Sequence, residues 1–453
     1  MRLFNFTFFV ILGLLAYSNS YSQQNAKPWS LSDCLKYAKI KNIQVKQQEL
    51  EVKLATYNRD KSKLSNLPDL NLNLNSGINI GRSINPTTNL FENKSYFFSN
   101  IIGNANVTLF NWFKNKNTIS LNSSLLNSES EKLKQIQDEV GLNVISAFLR
   151  ILIAEEQVEI YRSQIELSKI NLKNIEKLLI AGSSNGLEVA QIKNQLVRDS
   201  SSYEKSKVDV KSSYLDLKVI LNLDLNLDIK IEKPDDRWMT KMEIEDLSDH
   251  FLINSSLMEF PLIKSKTSNL EALKYNRNLI KYESYPNLNL VANSGSIYSS
   301  IFIDYSQSNP DQIMSFRNQL RNNFSSSIGL QISFPIFKHL YTSYNLKQAD
   351  IKLLQGNLEL QEAEQNLRRE IQNAKNDVES AFINYNLATS AYDNGNIANN
   401  FAAIRFSKGL INSFELLYVQ NDFFRTKLEL MTSKYDFVFK KFILRYYIGK
   451  EFI

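Results

Sequence analysis

The chain has 453 residues, of which 22% are charged and 43% are hydrophobic, as is usual for an ordered protein. Its formal net charge of +6 is modest, and lysines are interleaved with glutamates and asparagines, which gives nucleic-acid binding little support. The single cysteine, Cys34, excludes a disulfide within the chain, and only two histidines, His250 and His339, argue against a Cys/His metal site.

The N-terminus has the pattern of a secretory signal peptide. Arg2 supplies a positive charge, residues 6–15 are almost wholly apolar, and serines occupy the −3 and −1 positions before Gln23. The pattern predicts that residues 1–22 are a signal peptide and that the mature chain is exported. An N-terminal membrane anchor is disfavoured because the apolar run is short for a membrane span. No later apolar run reaches about 18 residues, so an exported chain of this kind is either soluble or crosses a membrane as β-strands.

The first half of the mature chain is predicted to consist of three helices and one hairpin. In chain order the predicted elements are a helix over 30–66, a β-hairpin over 68–110, a long helix over 112–181 and a helix over 187–222. No proline interrupts the long helix, which would measure roughly 105 Å at 1.5 Å per residue. Between Val144 and Leu179 an apolar residue recurs every seven positions, with small residues such as Ala147 between them. This heptad pattern predicts coiled-coil packing of closely spaced helices.

The strands of the hairpin are predicted to be amphipathic. Leu70, Leu72 and Leu74 alternate with asparagines, and residues 104–109 alternate in the same way. Alternation with a period of two suits strands that face lipid on one side and water on the other. On this pattern alone, a soluble sandwich sheet stays open as an alternative.

The second half of the chain repeats the first. Residues 67–77 match 285–295 at an offset of 218, and residues 182–188 match 409–415 at an offset of 227. Several matches in the same order indicate a duplication. The predicted domains after the signal peptide are a first repeat, residues 23–232, and a second repeat, residues 233–453.

The second repeat is predicted to follow the same order of elements. These are a helix over 242–284, a hairpin over 286–337, a long helix over 338–408 and a helix over 413–449. Its hairpin has nine extra residues between Gly295 and Phe337. The polar stretch from Asp304 to Asn323 lies between these two residues and predicts a longer exposed loop.

Two hairpins supply four strands, which are too few to close a membrane barrel. An open sheet edge is not tolerated in lipid, so closure must come from several chains. Three chains would give twelve strands and four would give sixteen, and the strand number alone does not choose between them. The predicted fold class is mainly α with a membrane β-barrel part, built from two tandem repeats with long coiled-coil helices.

The duplicated order of helix, hairpin, long helix, Gly-x-x-Asn turn and helix resembles the TolC-like outer-membrane efflux proteins. The first helix opens with Trp29-Ser-Leu-Ser-Asp-Cys-Leu, which is similar to the start of that family, and Phe334-Pro-Ile-Phe337 resembles its strand-exit motif. The resemblance covers Pro28 to Gly449. It implies a homotrimer with a twelve-stranded β-barrel in the cell outer membrane and an α-helical barrel in the periplasm. It also implies two partners, a periplasmic adaptor (membrane fusion) protein and an inner-membrane pump or ABC exporter.

The resemblance also implies functional positions at the two glycine turns. The predicted adaptor-docking tips are Gly182, Asn185, Leu187, Gly409, Asn412 and Phe414. The predicted positions at the periplasmic entrance are Glu188, Glu415 and Tyr418. Tyr418 stands where the family has a second acidic residue, which weakens the expectation of a charged gate. For both glutamates the alternative is a first-turn acid that complements a helix dipole.

No motif predicts catalysis. The Gly182-Ser-Ser-Asn-Gly segment lacks the lysine of a phosphate loop, and the chain has no Gly-x-Ser-x-Gly elbow. The sequence therefore predicts no enzyme, no cofactor and no metal, but a passive conduit for export of small molecules or proteins. The alternative is a soluble periplasmic coiled-coil adaptor without a membrane barrel. Two matched repeats with alternating strands argue against that alternative.

Overall fold

The structure, a computed structural model, describes residues 28–85, 87–234, 257–303, 313–337 and 339–450. The predicted signal peptide, residues 1–22, lies outside these ranges, as do His250 and the start of the helix predicted over 242–284. Cleavage after Ser22 and the division into repeats at residue 232 therefore stay predictions.

The described residues form the predicted order of elements in both halves. The first half contains α1 (Leu31–Lys41), α2 (Ile43–Leu64), β1 (Asp69–Asn79), β2 (Arg82–Ile84), β3 (Phe91–Asn93), β4 (Tyr96–Phe110), α3 (Lys114–Ile180) and α4 (Gly186–Leu221). The second contains α5 (Pro261–Lys281), β5 (Asn287–Ser299), α6 (Phe316–Asn322), β6 (Ser325–Ser333), α7 (Tyr341–Ser407) and α8 (Ser413–Tyr447). The long helices α3 and α7 have 67 residues each, against about 11–12 for an average helix.

The helix predicted over residues 30–66 is divided at Asn42. This residue has φ −59° and ψ 139°, outside the helical region. Its Oδ1 accepts a hydrogen bond from the Gln44 N–H at 2.8 Å, and its Nδ2 donates to the Ile220 carbonyl at 2.8 Å. The prediction of one continuous helix was wrong because the break is stabilised by a contact with α4, which no local pattern reveals.

The duplication appears in unusual backbone conformations. Trp112 and Phe113, between β4 and α3, have φ of 54° and 61°. His339 and Leu340, at an offset of 227, have φ of 52° and 60°. Left-handed conformations are uncommon for bulky residues. Their recurrence as a pair at the same offset confirms that the chain contains two repeats of one fold.

The described residues divide into two compact units. The first contains residues 28–45, 137–234 and 372–450, and the second contains residues 46–85, 87–136, 257–303, 313–337 and 339–371. The core of the first unit includes Phe148, Ile192 and Phe442, which are fully buried. The second unit holds all the described strands.

The second unit contains an antiparallel sheet with the strand order β1-β4-β5-β6. One row of directly opposed residues consists of Leu70, Ala105, Ala292 and Ile328. The next row consists of Asn71, Asn104, Asn293 and Ser327. Opposed residues share a face and neighbouring rows lie on opposite faces. The sheet therefore has one apolar face and one face of amides and hydroxyls, which confirms the predicted alternation.

The apolar face of the sheet is exposed within the single chain. The exposed fractions of Leu72, Ile328 and Leu330 are 76%, 74% and 67%. A contiguous apolar surface of this kind marks a region that contacts lipid or another protein. Within the described ranges, no helix combines the length and apolarity that a membrane span requires.

The segment predicted as an exposed polar loop, residues 304–323, is partly helical. Residues 304–312 lie outside the described residues, but α6 follows, and its Gln319 is completely buried. Gln319 Nε2 donates to the Ser299 carbonyl at 3.0 Å, and Gln319 Oε1 accepts from the Ser299 N–H at 2.9 Å. β6 pairs with β5 only as far as Gly295, and β5 continues to Ser299. The side-chain amide of Gln319 therefore forms the hydrogen bonds that a neighbouring strand would form at the end of β5. Residues 313–323 are mostly exposed, as predicted, but they contain a short helix and one buried side chain, because Gln319 satisfies a strand edge that the sequence pattern does not reveal.

Small and apolar residues of α7 are packed against α8 in the first unit. Ala381 is 3% exposed and lies in a buried cluster with Val378 and with Phe437 of α8. A small side chain at this position allows α7 and α8 to approach closely.

Replacement of Ala381 by leucine is expected to destabilise the helical bundle by about 1–3 kcal/mol, because three added carbons overpack this cluster. Lys375→Leu, at an exposed position of the same helix, is the control and should change stability by less than about 0.5 kcal/mol. Thermal unfolding of both variants in detergent measures the difference. Equal melting temperatures would show that Ala381 does not occupy a packed seam.

Candidate functional site at the two helical turns

Helix α3 ends in a turn that requires a left-handed residue at Gly182. This glycine has a φ of +73°. The Ser183 N–H donates to the Leu178 carbonyl at 2.8 Å, and the Gly182 N–H donates to the Leu179 carbonyl at 3.0 Å. The pair of bonds is a Schellman motif, which satisfies carbonyls that the end of a helix leaves free.

Helix α7 ends in the same way at Gly409, which has a φ of +69°. The Leu410 N–H donates to the Arg405 carbonyl at 2.9 Å, and the Gly409 N–H donates to the Phe406 carbonyl at 2.9 Å. A Cβ at Gly182 or Gly409 would meet no atom within 4 Å. Glycine is therefore required at both turns for its backbone conformation and not for lack of space.

Asn185 and Asn412 begin the helices that follow the turns. Asn185 Oδ1 accepts from the Glu188 N–H at 3.1 Å, and Asn412 Oδ1 accepts from the Glu415 N–H at 2.9 Å. Both asparagines are therefore N-caps. Glu188 and Glu415 lie in the first turns of α4 and α8, where a carboxylate interacts favourably with the helix dipole. Glu188 also accepts a hydrogen bond from the Ser184 hydroxyl at 2.8 Å.

The structure brings the two turns onto one packed cluster. Its buried members come from α3, α4, α7 and α8 and are Ile175, Val189, Ile192, Ala402, Phe406 and Leu416. Gln195 of α4 and Asn421 of α8 also exchange hydrogen bonds of 3.2 and 3.4 Å. Two segments far apart in the sequence thus form one end of a four-helix arrangement, which the sequence predicted only as two separate turns.

Three of the predicted site residues present exposed apolar or aromatic surface beside the turns. The exposed fractions of Leu187, Phe414 and Tyr418 are 68%, 66% and 69%. Phe414 and Tyr418 line a groove of about 510 Å³ between α4 and α8, together with polar residues such as Arg198 and Arg425. The groove provides a recessed surface with both aromatic and charged groups, which is typical of a protein-binding surface.

A buried carboxylate next to the turns escaped the sequence analysis. Asp199 is 3% exposed and accepts hydrogen bonds from the Ser168 hydroxyl, from Gln164 at 2.9 Å and from Gln195 at 2.8 Å. Burial raises its pKa above the ordinary aspartate value. The sequence signal that could have revealed the burial of Asp199 is its position seven residues after Ile192. This spacing places both residues on the same packed face of α4. Through Gln195, which also contacts Asn421, this network links α3 and α4 to α8.

Comparison with known proteins identifies the family. The sequence model for outer membrane efflux proteins matches residues 35–223 and 252–449, one match in each repeat. The chain belongs to the outer membrane efflux protein family. No curated protein is similar enough in sequence to be recognised as a relative.

Solved structures of outer-membrane channels share the fold. CusC, which forms a transmembrane channel, has 17% identity and a TM-score of 0.78, and the match covers 93% of this chain and 92% of CusC. VceC of Vibrio cholerae has 13% identity and a TM-score of 0.77, with 93% and 97% covered. The CmeC channel of Campylobacter jejuni has 16% identity and a TM-score of 0.76, with 92% and 85% covered.

Membership of the outer membrane efflux protein family confirms three predictions from the sequence. The protein is an outer-membrane efflux channel subunit, its fold is the two-repeat fold of that family, and it is not an enzyme. The alternative of a soluble periplasmic adaptor is therefore wrong.

Proposed function

We propose that the outer membrane efflux protein assembles as a homotrimer whose three sheets close one twelve-stranded barrel. The observation that carries this proposal is the four-stranded sheet, which has an exposed apolar face, a face of amides and hydroxyls, and two open edges at β1 and β6. In lipid, unpaired edges are costly because no water satisfies the backbone groups. Three or four copies would satisfy all edges within the size range of membrane barrels, and the resemblance to the TolC-like proteins favours three.

The turns at Gly182 and Gly409 are proposed to dock a periplasmic adaptor (membrane fusion) protein. The capped turns, the exposed Leu187 and Phe414, and the adjoining groove support this role. The adaptor would connect the channel to an inner-membrane pump or ABC exporter. The pump or exporter would supply the energy, because a channel of this kind conducts passively.

Glu188, Glu415 and Tyr418 are proposed to surround the periplasmic entrance. Each would occur three times around the axis of a trimer, and a ring of carboxylates favours cations over anions in a lumen. Within one chain the two glutamates also stabilise helix N-termini, so an entrance role would be additional to that structural role.

The oligomer is expected to depend on detergent and to have the mass of about three chains. Light scattering of the purified protein, with the detergent contribution subtracted, measures this mass directly. A monodisperse monomer that stays in solution without detergent would contradict the proposed channel.

A further inference from the structure

We propose that β6 of one subunit pairs with β1 of the next in one specific register, in which Gln331 lies opposite Asn75 of the partner subunit. The proposal rests on the trimeric channel proposed above and adds the geometry of the contact between its subunits. The partner is a second copy of this chain, and the surface is the pair of open strand edges.

The directions of the strands allow this contact. Each neighbouring pair in the order β1-β4-β5-β6 is antiparallel, so β1 and β6 run in opposite directions. A β6 edge that meets the β1 edge of the next copy is therefore antiparallel as well. Strand directions then alternate without interruption around a closed ring, as in membrane barrels with an even number of strands.

The chain already contains an internal equivalent of the proposed contact. Asp69 opposite Asn106 in the first hairpin corresponds to Asn287 opposite Ser333 in the second, at the repeat offsets of 218 and 227. The two hairpins are therefore superimposable in register. β4, which ends the first hairpin, pairs with β5, which begins the second. β6 ends the second hairpin, and β1 of the next copy begins the first, so β6–β1 is the repeat equivalent of β4–β5.

The observed β4–β5 register transfers directly to β6–β1. Asn104 opposite Asn293 becomes Gln331 opposite Asn75, Ala105 opposite Ala292 becomes Ile332 opposite Leu74, and Asn106 opposite Val291 becomes Ser333 opposite Asn73. At these three positions polar side chains lie opposite polar side chains, and the aliphatic Ile332 lies opposite the aliphatic Leu74. A slip of one residue would place Ile332 on the apolar face beside polar side chains, which a half-buried sheet does not tolerate.

The stagger of the strands excludes slips of two residues. Leu70 of β1 lies in the same row of the sheet as Ala292 of β5, on the other side of β4. The repeat equivalent of Leu70 is Leu288, so the two repeats are staggered by four residues. Ala105 of β4 lies in the same row as Ile328 of β6, on the other side of β5. Its repeat equivalent is Ile332, so the stagger is again four residues. A closed barrel needs strand tilt and stagger that agree around the ring. The proposed register continues the four-residue stagger, whereas a two-residue slip would change it only between subunits.

Four double-cysteine variants test the register on the same four positions. In a Cys34→Ala background, Gln331→Cys or Ser333→Cys is combined with Asn73→Cys or Asn75→Cys, and all four sites are exposed in the single chain. Directly opposed residues fall within the usual Cα separation of disulfides, about 4.4–6.8 Å, whereas positions two residues away lie about 7–8 Å apart. Within one chain β1 and β6 are three strand spacings apart, roughly 14 Å, so every disulfide reports a contact between chains.

After oxidation in membranes, denaturing gels without reductant are expected to show covalent dimers and trimers for 331–75 and 333–73, at about tenfold the yield of 331–73 and 333–75. Preferential cross-linking of a mismatched pair would overturn the register while leaving the trimer intact. An intact trimer that forms no disulfide in any variant would also overturn it. Absence of an oligomer in the Cys34→Ala parent would instead overturn the channel proposal.

Discussion

Replacement of Gly295 by alanine is expected to reduce the yield of assembled channel sharply. A Cβ at this position would lie 2.5 Å from the Ile101 carbonyl oxygen and 3.1 Å from the Ile102 Cα. Both atoms belong to the backbone of β4, which is paired on both sides and cannot shift without loss of ladder hydrogen bonds. Overpacking of this kind costs about 1–3 kcal/mol in each chain, and a trimer would contain it three times.

The matched control is Gly103→Ala, which lies in β4 of the same sheet and not on an edge strand. A Cβ at Gly103 would lie 3.5 Å from the Ser294 carbonyl oxygen, an ordinary van der Waals contact, so alanine is expected to be neutral or to stabilise the chain by less than about 1 kcal/mol by restricting its unfolded state. Both variants are compared as the fraction of heat-resistant oligomer recovered from the outer membrane on a mild denaturing gel. If Gly295→Ala assembles as well as Gly103→Ala, the close approach of β4 and β5 at Gly295 is incorrect.

Replacement of Gly409 or Gly182 by valine is expected to abolish adaptor binding while the oligomer persists. Valine is strained at φ near +70°, at a cost of about 1–3 kcal/mol. The turn would relax this strain by changing its backbone, which would move the exposed Leu187 or Phe414 beside it. The measurement is the amount of adaptor protein that co-purifies with the channel after cross-linking of intact cells.

Gly186→Ala is the control for both turn variants. Gly186 is the first residue of α4, has no positive φ, and leaves open space for a Cβ. Alanine there is expected to preserve adaptor binding fully. If the valine variants lose the oligomer as completely as they lose the adaptor, the turns serve assembly and the docking proposal fails.

Features set by local chemistry could be predicted from the sequence. The long helices were predicted within three residues of their observed ends because prolines are absent from them and a glycine stops each one. The N-caps Asn185 and Asn412 follow from the preference of short polar side chains for helix starts. β1 was predicted from the alternation of leucine with asparagine, because the two-residue period of a strand can be recognised from neighbouring residues alone.

Features that depend on distant contacts were decided only by the tertiary structure. The helix break at Asn42 is stabilised by the carbonyl of Ile220, and the buried Gln319 completes an edge of β5. Asp199 is polar, yet it is buried and accepts hydrogen bonds from Ser168 and Gln164 of α3, which lie more than 30 residues away in the sequence. In each case one polar group satisfies another across the fold. A hydrophobic pattern in the sequence indicates which residues are buried. It does not indicate which buried polar groups form hydrogen bonds with one another in the folded chain.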